Sequence, residues 1–522
     1  MAKLIEATAL REAWRRGEEI ALFDLREEGP YSLAHPFFAV SLPLAQIELR
    51  IRALVPRLST PIVVYDDGEG LTARGVERIA ALGYADVAAL AGGLAAYAEV
   101  GEVFRDVNVP SKAFGELVEA IRHTPSLPAE QVAELIAGDA DVVVFDARRF
   151  EEYRTMSIPR GVSVPGGELA LRVYDLAPSP ETTIVVNCAG RTRSIIGAQT
   201  LVNAGVPNRV IALRNGTIGW TLAGLRLETG RTGRFGPLSA AAHATARSRA
   251  SAWAEKVGVK VIDAATLAGY RAEATQRTLY LLDVRTPEEF AAGHPQGFRS
   301  APGGQLVQAT DEWVAVRGAR LVLFDDDGVR GRMTASWLKQ MGWDAGVVAE
   351  GSVACDESGH PAAVAIPVPE VPALGPADVA KLGEGSAIVD LGPSPLYRRG
   401  HIAGAWFIAG AQLADLATIP GHGPIALTSD DGRLAAAHAR DVAAATPRPV
   451  VWLAGGNAGW LAAGLPLTAE DPRFASAPDD VYKRPYEGTD NPRAAMQGYI
   501  DWELQLVAQM ANDGISRFHV VR

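Results

Sequence analysis

The sequence predicts an α/β protein made of four tandem domains, each an open parallel sheet of about five strands flanked by helices. The chain has 522 residues, more than one hydrophobic core supports. Short apolar runs that end in acidic residues or glycine recur along it, and segments with helical spacing lie between them. Because strands alternate with helices, the strands are expected to be parallel, with crossover helices on both faces of each sheet.

The composition narrows the class of partner. Hydrophobic residues make up 48% of the chain and charged residues 21%, which is typical of globular proteins. The net charge is -11 and no Lys/Arg-rich run occurs, so neither nucleic acid nor an anionic membrane is expected as a partner. No apolar run approaches a signal sequence or a membrane span, which predicts a cytoplasmic protein. We expect small-molecule partners, no cofactor and no metal; the sequence leaves homo-oligomerisation open.

Two strands stand in a fixed register in each predicted unit. The first ends in aspartate, as in VVFDARR, and the second is a β-branched run that enters a loop, as in IVVNCAGRT. Both runs are typical of buried parallel strands. From the aspartate to the residue that opens the loop there are 42 residues in three units and 39 in the fourth, for the pairs Asp24 and Asp66, Asp146 and Cys188, Asp283 and Asp325, and Asp390 and Ser429.

Helices and glycine turns complete each unit. The segment SIIGAQTLVNAG (194–205) has helical spacing, and Gly205 is expected to end the helix. Further along, a strand leads into a glycine turn and a short aromatic helix. Two glycines eight residues apart bound this segment in each unit: Gly93 and Gly101, Gly216 and Gly224, Gly351 and Gly359, and Gly456 and Gly464.

The repeat spacing divides the chain into four units and a C-terminal tail, with predicted bounds 1–108, 109–235, 236–365, 366–472 and 473–522. The Gly/Arg/Ala/Ser-rich stretch 229–252 is interpreted as linker, although its alanine-rich part is equally compatible with a helix.

A second break, 360–376, is proline-rich and expected to be extended. In the tail, YIDWELQLVAQM predicts an amphipathic helix. Tyr482, Tyr499 and Trp502 are expected to anchor the tail on a neighbouring unit or subunit.

Together these features resemble the rhodanese-like superfamily. The resemblance rests on the Asp-x-Arg strand end, the segment LLDVRTPEEFAAGHPQG, the strand that enters a cysteine loop and the Gly-x-x-x-Trp-x-x-x-Gly ending, and it covers about 470 of the 522 residues. It implies a thiosulfate sulfurtransferase with four tandem rhodanese repeats, and a reactive cysteine at the carboxyl end of a central strand. Open α/β sheets bind ligands at that edge.

Only the second repeat has a thiol at the position that opens the loop. Asp66, Asp325 and Ser429 occupy that position in the other three repeats, which are expected to be catalytically silent. The predicted site consists of the nucleophile Cys188 and a substrate-binding loop formed by Ala189, Gly190, Arg191, Thr192, Arg193 and Ser194. A helix that begins near Ser194 is expected to point its N–H groups at the sulfur and, with the arginines, to lower the pKa of the thiol.

The expected reaction has two halves. The Cys188 thiolate attacks the outer sulfur of thiosulfate, held by Arg191 and Arg193, and sulfite leaves; cyanide or a low-molecular-weight thiol then removes the sulfur from the Cys188 persulfide. No separate general base is required. Arg148, Glu152 and Glu168 are candidates for orienting the loop or the acceptor, but Arg148 has counterparts in silent repeats and is interpreted as structural.

The histidines of the silent repeats are also interpreted as structural. His35, His294 and His401 lie in or near Gly-His segments, whereas the second repeat has Met156 and Ser157 there. A catalytic histidine is expected in the repeat that carries the cysteine, so these three are not predicted to act as acids or bases.

Two other functions remain open at this stage. Some phosphatases share this fold and place arginine six positions after the cysteine; here Ser194 stands at that position and Arg193 one earlier, which favours sulfur over phosphate. Alternatively, the repeats form a non-enzymatic scaffold in which Cys188 senses persulfide or redox state.

The remaining candidates receive structural interpretations. Cys355 takes the place of Tyr97, Trp220 and Trp460 in the other repeats, so it is expected to be buried and dispensable. The Asp66–Asp67 pair and the acidic run 325–327 are interpreted as solvated turns rather than metal ligands.

Overall fold

A computed structural model describes residues 3–360, 364–367, 370–410 and 412–522. The chain forms two compact units, one comprising Met1–Leu10, Ile20–Val107 and Ala362–Tyr482 and the other Arg11–Glu19, Asn108–Pro361 and Lys483–Arg522. The first unit holds repeat 4 and most of repeat 1, and the second holds repeats 2 and 3, Arg11–Glu19 and the tail from Lys483 onward.

Repeat 1 contains a five-stranded parallel sheet and a two-stranded antiparallel pair. Its strands are β1 (Lys3–Ile5), β2 (Ala21–Asp24), β3 (His35–Pro36), β4 (Ala39–Ser41), β5 (Ile62–Tyr65), β6 (Val87–Leu90) and β7 (Val103–Phe104). Its helices are α1 (Ala7–Arg16), α2 (Glu28–Leu33), α3 (Ile47–Leu54), α4 (Thr72–Ala81) and α5 (Gly93–Ala98), with a 3-10 turn at Leu44–Gln46. The parallel sheet has the order β1-β6-β5-β2-β4, and β3 pairs with β7.

Repeat 2 carries the cysteine loop. Its helices are α6 (Val109–Arg122), α7 (Ala129–Ala137), α8 (Phe150–Thr155), α9 (Leu169–Leu176), α10 (Thr192–Asn203) and α11 (Gly216–Leu222). Its strands are β8 (Ser126–Leu127), β9 (Val142–Asp146), β10 (Gly161–Ser163), β11 (Thr183–Asn187) and β12 (Val210–Leu213). They form a parallel sheet in the order β8-β12-β11-β9-β10, with buried apolar residues on both faces.

Repeat 3 begins with the longest helix of the second unit. Its helices are α12 (Ala240–Val257), α13 (Ala264–Ala272), α14 (Pro287–Ala292), α15 (Gly303–Gln308) and α16 (Arg330–Gln340), with 3-10 turns at Glu273–Thr275 and Thr310–Glu312. Its strands are β13 (Lys260–Ile262), β14 (Leu279–Asp283), β15 (Arg299–Ser300), β16 (Arg320–Phe324) and β17 (Asp344–Val348), in the order β13-β17-β16-β14-β15.

Repeat 4 and the tail complete the chain. The strands of repeat 4 are β18 (Ala373–Leu374), β19 (Ala387–Asp390), β20 (Trp406–Phe407), β21 (Ile425–Thr428), β22 (Val450–Leu453) and β23 (Arg473–Phe474), in the order β18-β22-β21-β19-β20-β23. Its helices are α17 (Pro376–Val379), α18 (Ser394–Arg399), α19 (Arg433–Ala445) and α20 (Gly456–Ala462), with a 3-10 segment at Leu413–Thr418. The tail forms α21 (Arg493–Glu503) and α22 (Leu506–Asp513).

All four parallel sheets share one strand order. In each, the first strand pairs with the fifth, the fifth with the fourth, the fourth with the second and the second with the third. The predicted α/β class with repeated parallel sheets is confirmed. The predicted register also holds. Strands β2, β9, β14 and β19 each end at the aspartate from which the spacing to the loop was counted, namely Asp24, Asp146, Asp283 and Asp390.

The stretch before repeat 3 is a helix over most of its alanine-rich part rather than linker. Helix α12 begins after Ser239, whose side chain accepts a hydrogen bond from the Ala242 amide, and alanine has a high helix propensity. Ala246, Ala250 and Trp253 lie in an apolar cluster with residues of α9 and α16. The segment is therefore part of the core of the second unit.

Three other expectations need adjustment. Cys355 is exposed rather than buried, because the chain after β17 forms turns instead of the short helix that begins at the equivalent glycine in the other repeats. The tail segment forms two helices, because α21 ends at Glu503 and α22 begins at Leu506. The extended stretch 360–376 falls partly outside the described residues.

Candidate active site

Strand β11 brings Cys188 to the carboxyl edge of the second sheet. Asn187 is its last residue and pairs in register with Asp146, the last residue of β9. The Asn187 amide donates to Asp146 Oδ2 at 2.9 Å, and the Arg148 guanidinium donates to both carboxylate oxygens of Asp146 at 2.9 and 2.7 Å. This buried network fixes the two strand ends beneath the cysteine.

The loop after β11 curls so that the amide of the sixth following residue faces the side chain that opens it. In repeat 2 the amide and side chain of Ser194 favour a lower pKa for the Cys188 thiol, while the Ser194 hydroxyl itself donates to the Arg191 carbonyl at 2.9 Å. The equivalent bonds in the other repeats run from Thr72 N to Asp66 Oδ2 (3.0 Å), from Gly331 N to Asp325 Oδ2 (2.9 Å) and from Ala435 N to Ser429 Oγ (3.3 Å). All four loops therefore present a helix N-terminus to this position.

The two loop arginines are both paired with carboxylates. The Arg193 guanidinium donates to Glu152 Oε2 and Oε1 at 2.7 and 2.9 Å. Arg191 donates to Glu116 at 2.7 and 2.8 Å and also contacts Glu119. The sequence suggested that these arginines hold the donor directly; the pairs give them, in addition, the role of fixing the loop.

The Arg193–Glu152 pair has a counterpart in repeat 3. Arg330 stands five residues after Asp325, as Arg193 stands five after Cys188, and Arg330 donates to both oxygens of Glu289, at 2.5 and 3.1 Å. Because this pair recurs where no thiol is present, it is a structural feature of the loop.

A glycine turn supports the loop from below. The Thr217 and Ile218 amides donate to the carbonyls of Cys188 and Ala189 at 2.9 and 3.0 Å. Gly216 has a φ of +53°, and a Cβ there would lie 2.4 Å from the Cys188 carbonyl oxygen. The predicted glycine therefore permits both a left-handed turn and close approach to the loop.

The C-terminal tail covers this loop from above. A Cβ on Gly190 would lie 3.0 Å from Tyr499 Cε1 and 3.3 Å from Glu503 Oε2, and Cys188 is only 1% exposed. Lys112 of α6 is within 6 Å of the ring centroids of Tyr499 and Trp502, at 5.2 and 5.4 Å. Tyr499 and Trp502 thus anchor the tail on repeat 2 as predicted, whereas Tyr482 donates to Asp106 Oδ2 of repeat 1 at 2.9 Å.

Burial changes the expected ionisation of the nucleophile. Because the tail and loop bury Cys188, the pKa of its thiol is raised rather than lowered; Arg193 and Ser194 oppose this effect, and Glu503 adds to it. The predicted thiolate-stabilising groups are present, but desolvation under the tail outweighs them in this closed arrangement.

A family model described as the rhodanese-like domain matches residues 6–100, 128–223 and 266–356. The chain belongs to this family. No protein of curated function matches the sequence significantly.

Among solved structures, a thiosulfate sulfurtransferase from Pseudomonas aeruginosa is 51% identical, with 100% of each chain covered and a TM-score of 0.96. An Anabaena protein is 27% identical over 20% of this chain and 84% of its own, with a TM-score of 0.19. A rhodanese with anions from E. coli is 27% identical over 15% of this chain and 89% of its own, with a TM-score of 0.14.

Repeats 1 and 3 hold a buried carboxyl group where the loop opens, while Asp67 and Asp326 beside it are exposed, as expected of a solvated turn. Asp66 and Asp325 are both buried, because each accepts amides from the helix that follows its loop. Burial and the neighbouring Asp327 raise the pKa of Asp325 well above its usual range. In these loops a carboxyl group takes the place that the thiol takes in repeat 2.

The histidines of the silent rhodanese-like repeats each stack on an aromatic ring four residues earlier. His35 stacks on Tyr31, with ring centroids 4.1 Å apart, and His294 and His401 stack likewise and also bond a backbone carbonyl at 2.8 and 2.9 Å. Ser157 makes the same backbone bridge that His294 and His401 make. This geometry supports the structural interpretation of the histidines.

A cavity of about 320 Å³ lies between α8 and the tail. Its wall includes Glu152, the partner of Arg193, and Tyr486 of the tail. The ring centroids of Tyr486 and Tyr499 are 5.3 Å apart. Arg149 and Met156 also line it.

The sequence did not point to Glu116 or Glu503 as part of this site. Glu116 lies on α6 and Glu503 on α21, so both reach the loop from helices distant in sequence. The run of aromatic residues around Glu503 was the one sequence feature that pointed to the tail. Within the described residues no helix is long and apolar enough to span a membrane, and no group of three or more His, Cys, Asp or Glu side chains could hold a metal ion.

Proposed function

We propose that this chain is a thiosulfate sulfurtransferase that carries sulfane sulfur as a persulfide on Cys188. The observation that carries the proposal is the loop comparison: four equivalent side chains face a helix N-terminus, and Cys188 is the one that can form a bond to sulfur. The full-length similarity to a thiosulfate sulfurtransferase supports the same reaction.

The loop geometry suits both half-reactions. The Cys188 thiolate attacks the outer sulfur of thiosulfate, the S–S bond of thiosulfate breaks, and sulfite leaves with its electron pair. Cyanide or a thiol then attacks the outer sulfur of the persulfide, and Cys188 leaves as the thiolate. The Ser194 amide and the positive end of α10 stabilise the anion formed in each step.

Access to Cys188 requires movement of the tail. The thiol is almost fully covered, and the cavity lies between α8 and the tail segment that includes Tyr486. Displacement of this cover exposes the sulfur to the donor and removes the desolvation that raises its pKa. Donor entry and thiol activation are therefore coupled.

We retain the division 1–108, 109–235, 236–365, 366–472 and 473–522 as part of this proposal, with the second domain as the catalytic one. We also propose a cytoplasmic site of action, where a free Cys188 is kept reduced. The partners are a small anionic sulfur donor and a small acceptor.

Intact mass after thiosulfate treatment tests the proposal. We expect a gain of one sulfur atom, removed by cyanide, absent in Cys188→Ser and retained in Cys355→Ser, because Cys355 lies outside the loop. Steady-state kinetics should be ping-pong. Hydrolysis of an aryl phosphate without any gain of sulfur would instead establish a phosphatase.

A further inference from the structure

The tail places a buried carboxyl group directly over the cysteine loop. Glu503 is 1% exposed, and its Oε1 accepts hydrogen bonds from Tyr499 Oη at 2.7 Å and from Thr192 Oγ1 at 3.5 Å. Its Oε2 has no hydrogen-bond partner and lies 3.3 Å from the position of a Cβ on Gly190. An unpaired buried polar atom is costly, so this oxygen is placed for a ligand atom in the loop.

The surroundings of Glu503 keep it protonated in the closed enzyme. Burial, reinforced by the Glu116 carboxylate, raises its pKa to about 8, whereas Lys112, Tyr499 and Arg191 oppose the rise. Because Oε1 accepts both hydrogen bonds, the proton belongs on Oε2, the oxygen that points at the loop.

We propose that Glu503 is the acid–base residue of the sulfur-transfer site and that the acceptor is a small thiol in its protonated form. This inference rests on the proposed function of Cys188. It assigns a catalytic role to the tail, which lies outside the four repeats.

One such group can carry the proton of the acceptor through the cycle. When the Cys188 thiolate takes sulfur from thiosulfate, sulfite leaves as the dianion and the Glu503 carboxyl protonates the outer sulfur of the new persulfide. A thiol acceptor then gives its proton to the Glu503 carboxylate, and its sulfur attacks the outer persulfide sulfur. The products are a low-molecular-weight hydropersulfide, the Cys188 thiolate and a reprotonated Glu503.

Glu503→Gln separates this role from the role of Cys188. The amide keeps the size of the side chain and the hydrogen bonds to Oε1, but it accepts no proton. With 2-mercaptoethanol, protonated at pH 7, we expect turnover to fall by about 100-fold, within the usual range for acid–base catalysis. With the ionised aryl thiolate 2-nitro-5-thiobenzoate, which brings no proton, turnover should change by less than about threefold.

Two further variants act as controls. Asp501 is exposed on the same helix, so Asp501→Asn should leave both activities unchanged. Tyr499→Phe removes a hydrogen bond that lowers the pKa of Glu503, so the pH at which Glu503 loses its proton and thiol turnover falls should move to higher pH.

The outcomes are distinguishable. If wild-type protein gains no sulfur from thiosulfate, the proposed function of Cys188 fails. If Glu503→Gln gains sulfur normally but protonated and ionised acceptors are affected equally, or neither is affected, the role of Glu503 fails while that of Cys188 stands. A normal gain of sulfur also shows that the variant has folded around the loop.

Discussion

At the scale of single residues, the reactivity of Cys188 is set by opposing effects. Desolvation raises the pKa of the thiol, and the Glu503 side chain adds to the rise, whereas the Arg193 guanidinium and Ser194 lower it. Arg193 is in turn held by Glu152, whose pKa this pairing lowers to about 2 against the opposing effect of burial. Because the Glu152 carboxylate stays ionised, it holds the Arg193 guanidinium beside the sulfur across the ordinary pH range.

Arg193→Gln should raise the pKa of Cys188. The variant removes the cation that lowers this pKa and leaves the Glu152 carboxylate unpaired beside the loop, so we expect the pH midpoint of alkylation by iodoacetamide to rise by about one unit. Arg154→Gln, on the exposed face of the same helix as Glu152, is the matched control. An unchanged midpoint in Arg193→Gln would show that the Ser194 hydrogen bonds alone set the ionisation.

At the scale of secondary-structure elements, α12 links repeats 2 and 3 within the second unit. Its small residues Ala246 and Ala250 let it approach α9 and α16, where it buries Trp253. The Trp253 indole N–H donates to Ser336 Oγ of α16 at 3.1 Å. This helix is a structural part of the catalytic unit rather than a spacer between domains.

Ala250→Leu should destabilise the second unit by overpacking this contact. Ala250 is fully buried, so three added carbon atoms must displace residues of α9 or α16, at a cost of about 1–3 kcal/mol. Ala244→Leu adds the same group to an exposed position on the same helix and should have little effect. The measurement is the denaturant midpoint of each variant; equal midpoints would contradict the packing described for α12.

The packing of helices and strands also decides which features the sequence can predict. The strand ends and the residues that open the loops follow from apolar runs at fixed spacing, which is a local property of each repeat. The positions of Glu116 and Glu503 depend on how α6 and α21 pack on the loop, and no spacing encodes that. The exposure of Cys355 was missed because one repeat lacks a helix that the other three have.

At the scale of the whole molecule, the four repeats differ in the electrostatics of equivalent loops. Arg193 in repeat 2 faces one carboxylate, Glu152. Its counterpart Arg330 in repeat 3 is paired with four carboxylates, those of Glu168, Glu289, Asp326 and Asp327. More carboxylates therefore surround Arg330 in repeat 3 than surround Arg193 in repeat 2.

This difference predicts that a thiol alone does not activate repeat 3. In a Cys188→Ser background, Asp325→Cys should gain no sulfur from thiosulfate, because Asp326 and Asp327 repel the dianion and raise the pKa of the new thiol. Mass analysis of peptides covering position 325 provides the measurement. Sulfur found at that position would show that the thiol is the one missing component of the silent repeat.

The carboxyl groups of Asp66 and Asp325 also bear on the binding stoichiometry of the protein. Each supplies, from within the chain, an acceptor oxygen for the helix N-terminus beside it. These two loops are therefore not expected to compete with Cys188 for the donor. We expect titration with thiosulfate to reach its end point at one sulfur atom per chain, although the chain carries the fold of the site four times.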